Sequence, residues 1–177
     1  DNENDGVNYQ SSFAKNPGSV AAPTASLHFD TELLESLKRD FAFYPLTLHV
    51  GLGTFKSVEA DDIANHEMHS EYFQIPSESA QILDSTSKIL CIGTTATRTV
   101  EFYARTKKRE GECDIFINVK NPPQRANMLL TNFHLPKSTL IMLVAGFLGL
   151  EKTLEIYEIA KQHKYRFYSY GDCMLII

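Results

Sequence analysis

Short apolar runs of strand length alternate along this chain with longer segments of helical period, and that alternation admits few folds. The clearest instance is Ile89-Leu90-Cys91-Ile92, apolar at every position and closed by Gly93, which leads through Thr94-Thr95-Ala96-Thr97-Arg98 into Val100, Tyr103 and Ala104 at helical spacing. A strand, a small-residue turn and a helix N-terminus are expected there. Further strands are expected at Tyr44–Val50, Ser70–Ile75, Asp114–Val119, Met128–Phe133, Arg166–Tyr170 and Cys173–Ile177. Helices are expected from Thr31 to about Arg39 with Asp30 as N-cap, after Ser77 as cap, after Pro136 up to Gly149, and over Glu151–His163. The pattern predicts an α/β fold: a mixed or mostly parallel sheet with flanking helices.

Within its 177 residues the chain has room for one domain with a sizeable core. Residues 1–20 are polar and punctuated by Pro17-Gly18, so they are expected as a linker or the end of a preceding region, with residues 21–177 as one α/β domain. The three cysteines, Cys91, Cys113 and Cys173, lie far apart in apolar runs and are expected as reduced core thiols in a cytoplasmic protein. The longest apolar run, Leu140 to Leu150, is 11 residues, short of the roughly 20 a membrane span needs. A net charge of −5 argues against bulk-charge binding of nucleic acid, so an RNA partner would have to be met by local basic groups such as those of Lys161 through Arg166.

Several stretches have the residue types of a site. Leu48-His49-Val50-Gly51-Leu52-Gly53-Thr54 delivers a histidine and then a Gly-x-Gly turn, where a backbone can approach a ligand closely; a tight turn beside a hydrogen-bonded histidine is the other reading. Gly93 through Arg98 would aim helix N–H groups and hydroxyls at a carboxylate, phosphate or ribose, or would serve only to cap the helix. Thr131-Asn132-Phe133-His134-Leu135-Pro136-Lys137 packs Asn, His and Lys between a strand and an apolar helix. Tyr165 through Asp172 mixes aromatics, an arginine and a carboxylate, which suits base stacking or a tyrosine-rich core. His66-Glu67-Met68-His69 spaces its histidines by three and brings no third ligand, so a hydrogen-bonded role is expected over a metal site.

Taken together and in order, Ala22–Phe29, Leu48–Gly51, His66–Glu71, Thr131–Leu140 and Tyr165–Asp172 make the chain resemble the S-adenosylmethionine:tRNA ribosyltransferase-isomerases of queuosine biosynthesis, from about Tyr9 to the last residue. The resemblance is to the C-terminal half of that family, so its separate β-barrel domain is expected to lie outside this chain. Ser26 stands where the family usually has glycine.

The resemblance implies an enzyme that moves the ribosyl unit of S-adenosylmethionine onto a 7-aminomethyl-7-deazaguanine at the tRNA wobble position. The ribose is isomerised to give epoxyqueuosine-tRNA, with adenine and methionine released. S-adenosylmethionine is then a consumed substrate; no tightly bound cofactor and no metal are expected, and the partners are that tRNA and S-adenosylmethionine, without a membrane and as a monomer. On this basis His49, His134 and Asp172 are the candidate acid–base groups. Gly51, Gly53, Thr54, Thr94, Thr95 and Thr97 are the candidates for holding S-adenosylmethionine, and Lys137 and Arg166 for meeting RNA. The competing readings are an S-adenosylmethionine-dependent methyltransferase and a noncatalytic RNA-binding domain.

Overall fold

The computed structural model describes residues 9–51, 58, 63 and 66–177. It is an α/β structure in which two three-stranded sheets share one core. The first sheet has the order β1 (Thr47–His49), β2 (Glu71–Gln74), β4 (Glu110–Cys113) and is antiparallel throughout. The second has the order β3 (Leu90–Ile92), β5 (Met128–Asn132), β6 (Cys173–Ile176), with β3 parallel to β5 and β6 antiparallel to it. The expected mixed sheet is this second one; neither closes into a barrel among the described residues.

Among the described residues five α-helices flank the sheets: α1 (Thr31–Asp40), α2 (Ser77–Leu83), α3 (Thr94–Thr106), α4 (Thr139–Leu148) and α5 (Leu150–Gln162). Asp30 caps α1 as expected, its carboxylate accepting the Leu33 N–H at 2.7 Å. Ser77 does not cap α2: Pro76 holds the N-cap position, and the Ser77 hydroxyl accepts from Arg109 instead. Gly149 ends α4 and starts α5 at φ +80°, a left-handed conformation that costs glycine little and other residues much. No described helix is long and apolar enough to cross a membrane. All three cysteines are free thiols, Cys91 and Cys113 buried.

Two expected strands are absent. Residues 114–119 join neither sheet; Asn118 makes only an isolated bridge to Asn121. The partner of β2 comes earlier, and beyond it Arg98 takes the carbonyls of Cys113 and Ile115 while the Asn118 side chain accepts the N–H groups of Lys120 and Asn121 and turns the chain back. Residues 166–170 form a turn, because the Asp172 carboxylate accepts the Arg166 N–H and Tyr168 adopts φ +76°. Residues 16–20, expected as linker, are tied to the β1 region: Asn16 donates to the Thr47 hydroxyl, Ser19 to the Leu48 carbonyl and the Val20 N–H to the Val50 carbonyl.

The core draws Phe73 and Cys113 from the first sheet, Leu129 and Ile176 from the second, Val100 from α3 and Val144 from α4. Helix α3 is fixed within it by two buried charges. Arg98 pairs with Glu71 of β2 at 2.8 Å and donates to the carbonyls of His69, Cys113 and Ile115. Glu101, fully buried, accepts the N–H groups of Gln124, Arg125 and Ala126 at 2.7–2.8 Å, tying the helix to the segment that enters β5. Each charge is buried among donors or acceptors of matching sense, which is what makes its burial affordable. One consequence is that the first turn of α3 is held rigidly over the ends of β3 and β5.

Candidate active site

Strands β3 and β5 are parallel, so both end at the same edge of their sheet, the place where open α/β folds gather ligands. Gly93 follows β3 at φ +93° and donates to the Leu130 carbonyl; its own carbonyl accepts both the N–H and the hydroxyl of Thr97. The bend puts Thr94 and Thr95 at the start of α3, where no side chain caps the helix. The N–H groups there favour a negative or strongly polar group.

A cavity of about 40 Å³ lies at this edge, lined by Gly93, Thr94 and Thr95, by Thr131 and His134 from the end of β5, by Ala22–Ala25, by Val50 and by Leu140. The Ala22–Ala25 wall is shaped by a single turn of 3₁₀ helix over Thr24–His28, in which Ser26 bonds back to the Pro23 carbonyl through both its N–H and its hydroxyl. Small-molecule sites usually offer ~300–1,000 Å³, so the described residues form a floor rather than an enclosing chamber.

His134 is the ionisable side chain on this wall. Its Nε2 shares a hydrogen bond with the Thr131 hydroxyl at 2.9 Å, and its backbone N–H donates to the Tyr157 phenol oxygen at 3.1 Å. Burial drives the imidazole pKa down to about 3 and the Tyr157 phenol up to about 12. The imidazole is therefore neutral at any working pH: available to accept a proton or a hydrogen bond, yet weakly basic.

This buried neutral histidine makes stability depend on pH. Between about 3 and the ordinary 6.5, the unfolded chain binds a proton that the folded chain excludes, so stability falls as pH drops through that window. At roughly 1.4 kcal/mol per pKa unit, about 2 kcal/mol should be lost by pH 5. Urea unfolding at pH 7 and pH 5, compared between the parent chain and His134→Gln, isolates this share. An equal pH dependence in both would refute it.

The other candidates are distributed as follows. Thr94 and Thr95 line the cavity; Thr97 is fully buried and directs its hydroxyl to Gly93. His49 is not on the cavity wall, although its neighbour Val50 is: its ring meets the edge of Tyr72 at 5.3 Å and lies so close to Gly18 that a Cβ there would collide with Nδ1. Gly51 is half-buried just past β1, and Gly53 and Thr54 lie outside the described residues.

Asp172 and Arg166 are brought together, but with each other: the guanidinium donates to Oδ1 at 2.7 Å. That contact, with the Arg166 N–H, holds the Asp172 carboxyl below the usual carboxylate range, so it stays ionised near neutrality and is better suited to bracing a loop than to giving up a proton. Lys137 is exposed at φ +58°. His69 is engaged with Arg98 at 3.1 Å and His66 packs on the edge of Phe116; among the described residues no group of His, Cys, Asp and Glu is placed to hold a metal. Sequence reasoning passed over Tyr157 and Glu101, whose roles come entirely from tertiary neighbours.

The sequence profile of the family described as "Queuosine biosynthesis protein" matches residues 2–176. The chain is 60% identical over 177 residues to the S-adenosylmethionine:tRNA ribosyltransferase-isomerase of Campylobacter jejuni (strain RM1221), covering 100% of this chain and 52% of the relative. It is 62% identical to the protein of that name from Aliarcobacter butzleri, with the same coverage. The chain thus spans about half the length of the curated relatives it matches. Among solved structures, the crystal structure of S-adenosylmethionine tRNA ribosyltransferase from Thermotoga maritima is similar with a TM-score of 0.70 and 38% identity, over 87% of this chain and 51% of that one.

Proposed function

The chain belongs to the queuosine biosynthesis protein family, and from that premise we propose that it supplies a substrate-binding wall of a ribosyl-transferring tRNA-modifying enzyme. S-adenosylmethionine gives up its ribosyl unit to the 7-aminomethyl-7-deazaguanine wobble base of tRNA. The ribose is isomerised, and epoxyqueuosine-tRNA, adenine and methionine are the products.

The observation that carries this reading is the joining, at one sheet edge, of a buried neutral His134 with the uncapped first turn of α3. A sulfonium acidifies the hydrogens on its adjacent C5′ carbon, so a neutral group beside that carbon can take a proton without first having to lose one. The Thr94 and Thr95 hydroxyls and N–H groups suit the ribose hydroxyls or the methionine carboxylate. Lys137, exposed on the loop after His134, would suit an RNA phosphate.

The test is the product. Protein of the relatives' full length carrying this chain, given S-adenosylmethionine and tRNA with the 7-deazaguanine precursor, should release free adenine in step with modified tRNA. S-adenosylhomocysteine in its place would show a methyltransferase. RNA binding with no consumption of S-adenosylmethionine would show a binding domain alone.

A further inference from the structure

We propose that Thr131 is a positioning residue for His134: its hydroxyl oxygen accepts the Nε2–H of the imidazole, which fixes the ring in one tautomer and leaves the Nδ1 lone pair for a proton from the substrate. The proposal rests on the reaction reading above and assigns a task to a side chain that reading does not use.

The hydroxyl of Thr131 is out of keeping with its surroundings. It follows Met128-Leu129-Leu130 in β5, pairs with Met174 across the sheet and is 1% exposed. A valine would fill the same volume in such a strand, and a buried hydroxyl costs free energy unless it is hydrogen-bonded. Its partner is His134 Nε2 at 2.9 Å, three residues further on. Strand pairing holds the Thr131 backbone and branching at Cβ stiffens its χ1, so the oxygen is a fixed point for the ring to meet. The backbone of His134 is held separately: its N–H donates to the Tyr157 phenol oxygen at 3.1 Å, and the Tyr157 ring packs on Phe133 at 5.5 Å. Backbone and ring are thus anchored from two elements, α5 and β5.

The consequence is chemical. A neutral imidazole carries one N–H and one lone pair, and the hydrogen bond at one nitrogen decides which of the two the other presents. The Thr131 contact occupies Nε2 and leaves Nδ1 without a hydrogen-bond partner among the described residues, while both side chains belong to the cavity wall. With the proton on Nδ1 the ring would turn a fixed N–H donor toward a positively charged sulfonium and could take no proton there. With the proton on Nε2 the lone pair faces that charge, and the Thr131 O–H is free to rotate to an acceptor on the ligand. In the step itself the C5′–H bond breaks, its electron pair stays on the carbon beside the sulfonium, and the proton arrives on Nδ1. The imidazolium so formed keeps its Nε2–H on Thr131, so the anchor survives the transfer.

Protein of the relatives' full length, its histidines labelled with the heavy nitrogen isotope, reports the tautomer through the ring nitrogen shifts near neutral pH; the signals of His134 are those lost in His134→Gln. The parent should show one form, protonated on Nε2 and bare on Nδ1. Thr131→Val, which keeps the volume, should show a mixture of tautomers and lower kcat for adenine release by about tenfold, the worth of one hydrogen bond, with KM for S-adenosylmethionine within about twofold. Thr131→Ser, which keeps the hydroxyl, should restore the single tautomer and bring kcat to within about threefold of the parent. Far-UV circular dichroism checks that each variant is folded. A parent protonated on Nδ1, a Thr131→Val protein with the parent's tautomer and rate, or a loss in Thr131→Val that Thr131→Ser does not recover would overturn the assignment. A parent that releases no adenine would overturn the reaction reading, while the nitrogen spectrum still decides what Thr131 does to His134.

Discussion

Arg98→Ala should destabilise the protein by about 3–5 kcal/mol, the range typical when one partner of a buried ion pair is removed. The guanidinium is 3% exposed and faces Glu71, equally buried, at 2.8 Å. Its loss leaves the Glu71 carboxylate in a low-dielectric interior without its arginine, and takes the donor away from the carbonyls of Cys113 and Ile115. For a chain of this size the melting temperature should fall by about 10 °C or more. Arg98→Lys should recover little, because a single ammonium cannot reproduce the planar set of donors that meets groups on four different residues. The double variant Arg98→Met with Glu71→Leu should regain much of the loss, since removing both charges removes the desolvation penalty along with the attraction. Thermal unfolding of the three variants decides it; a loss below about 1 kcal/mol in Arg98→Ala would show that water or neighbours compensate the exposed charge.

That network also shows where sequence reasoning ends. The alternation of apolar runs with helical segments located α1, α3, α4, α5, β2, β3, β5 and β6 to within a few residues, because burial on one or both faces leaves its period in the sequence. Strand β4 escaped notice since Glu110-Gly111-Glu112-Cys113 has no strand propensity; it pairs because β2 offers it an edge. Residues 166–170 have strand-like composition, yet one carboxylate reaching back six residues turns them aside. Arg98 and Glu101 look in the sequence like ordinary helix-surface charges, and only their neighbours from β2 and the 124–126 segment reveal them as buried.

The candidate site was legible to the extent that it is made of consecutive residues. Gly93 to Thr95 and Thr131 to His134 were visible as loops following apolar strands, and the parallel pairing of β3 with β5 brings them to one edge. What the sequence could not supply was direction. His49 and Val50 are neighbours in the chain, but Val50 faces the cavity while the His49 ring lies between Gly18 and Tyr72.

That difference in direction separates the two histidines kinetically. In protein of the relatives' full length, His134→Ala should lower the rate of adenine release by about 10²–10⁴-fold under saturating S-adenosylmethionine and tRNA, the usual contribution of a proton-transferring or positioning group at the reacting atoms. The loss should appear in kcat, since a group acting on the reacting carbon matters most in the transition state. His49→Ala should cost less than about tenfold, because its ring packs against Tyr72 and Gly18 and does not line the cavity; what it loses should come through the packing of β1 on residues 16–20. The pH profile supplies a second reading. With its pKa near 3, His134 gives kcat no acid limb between about pH 5 and 8, so the parent and His134→Gln should share one profile shape at different heights. A loss in His49→Ala as deep as that in His134→Ala would place both imidazoles on the reaction path and require the β1 end to turn toward the cavity when substrate binds. Near-normal rates in both variants would return the two histidines to structural roles and leave the α3 turn as the only chemical element of this wall.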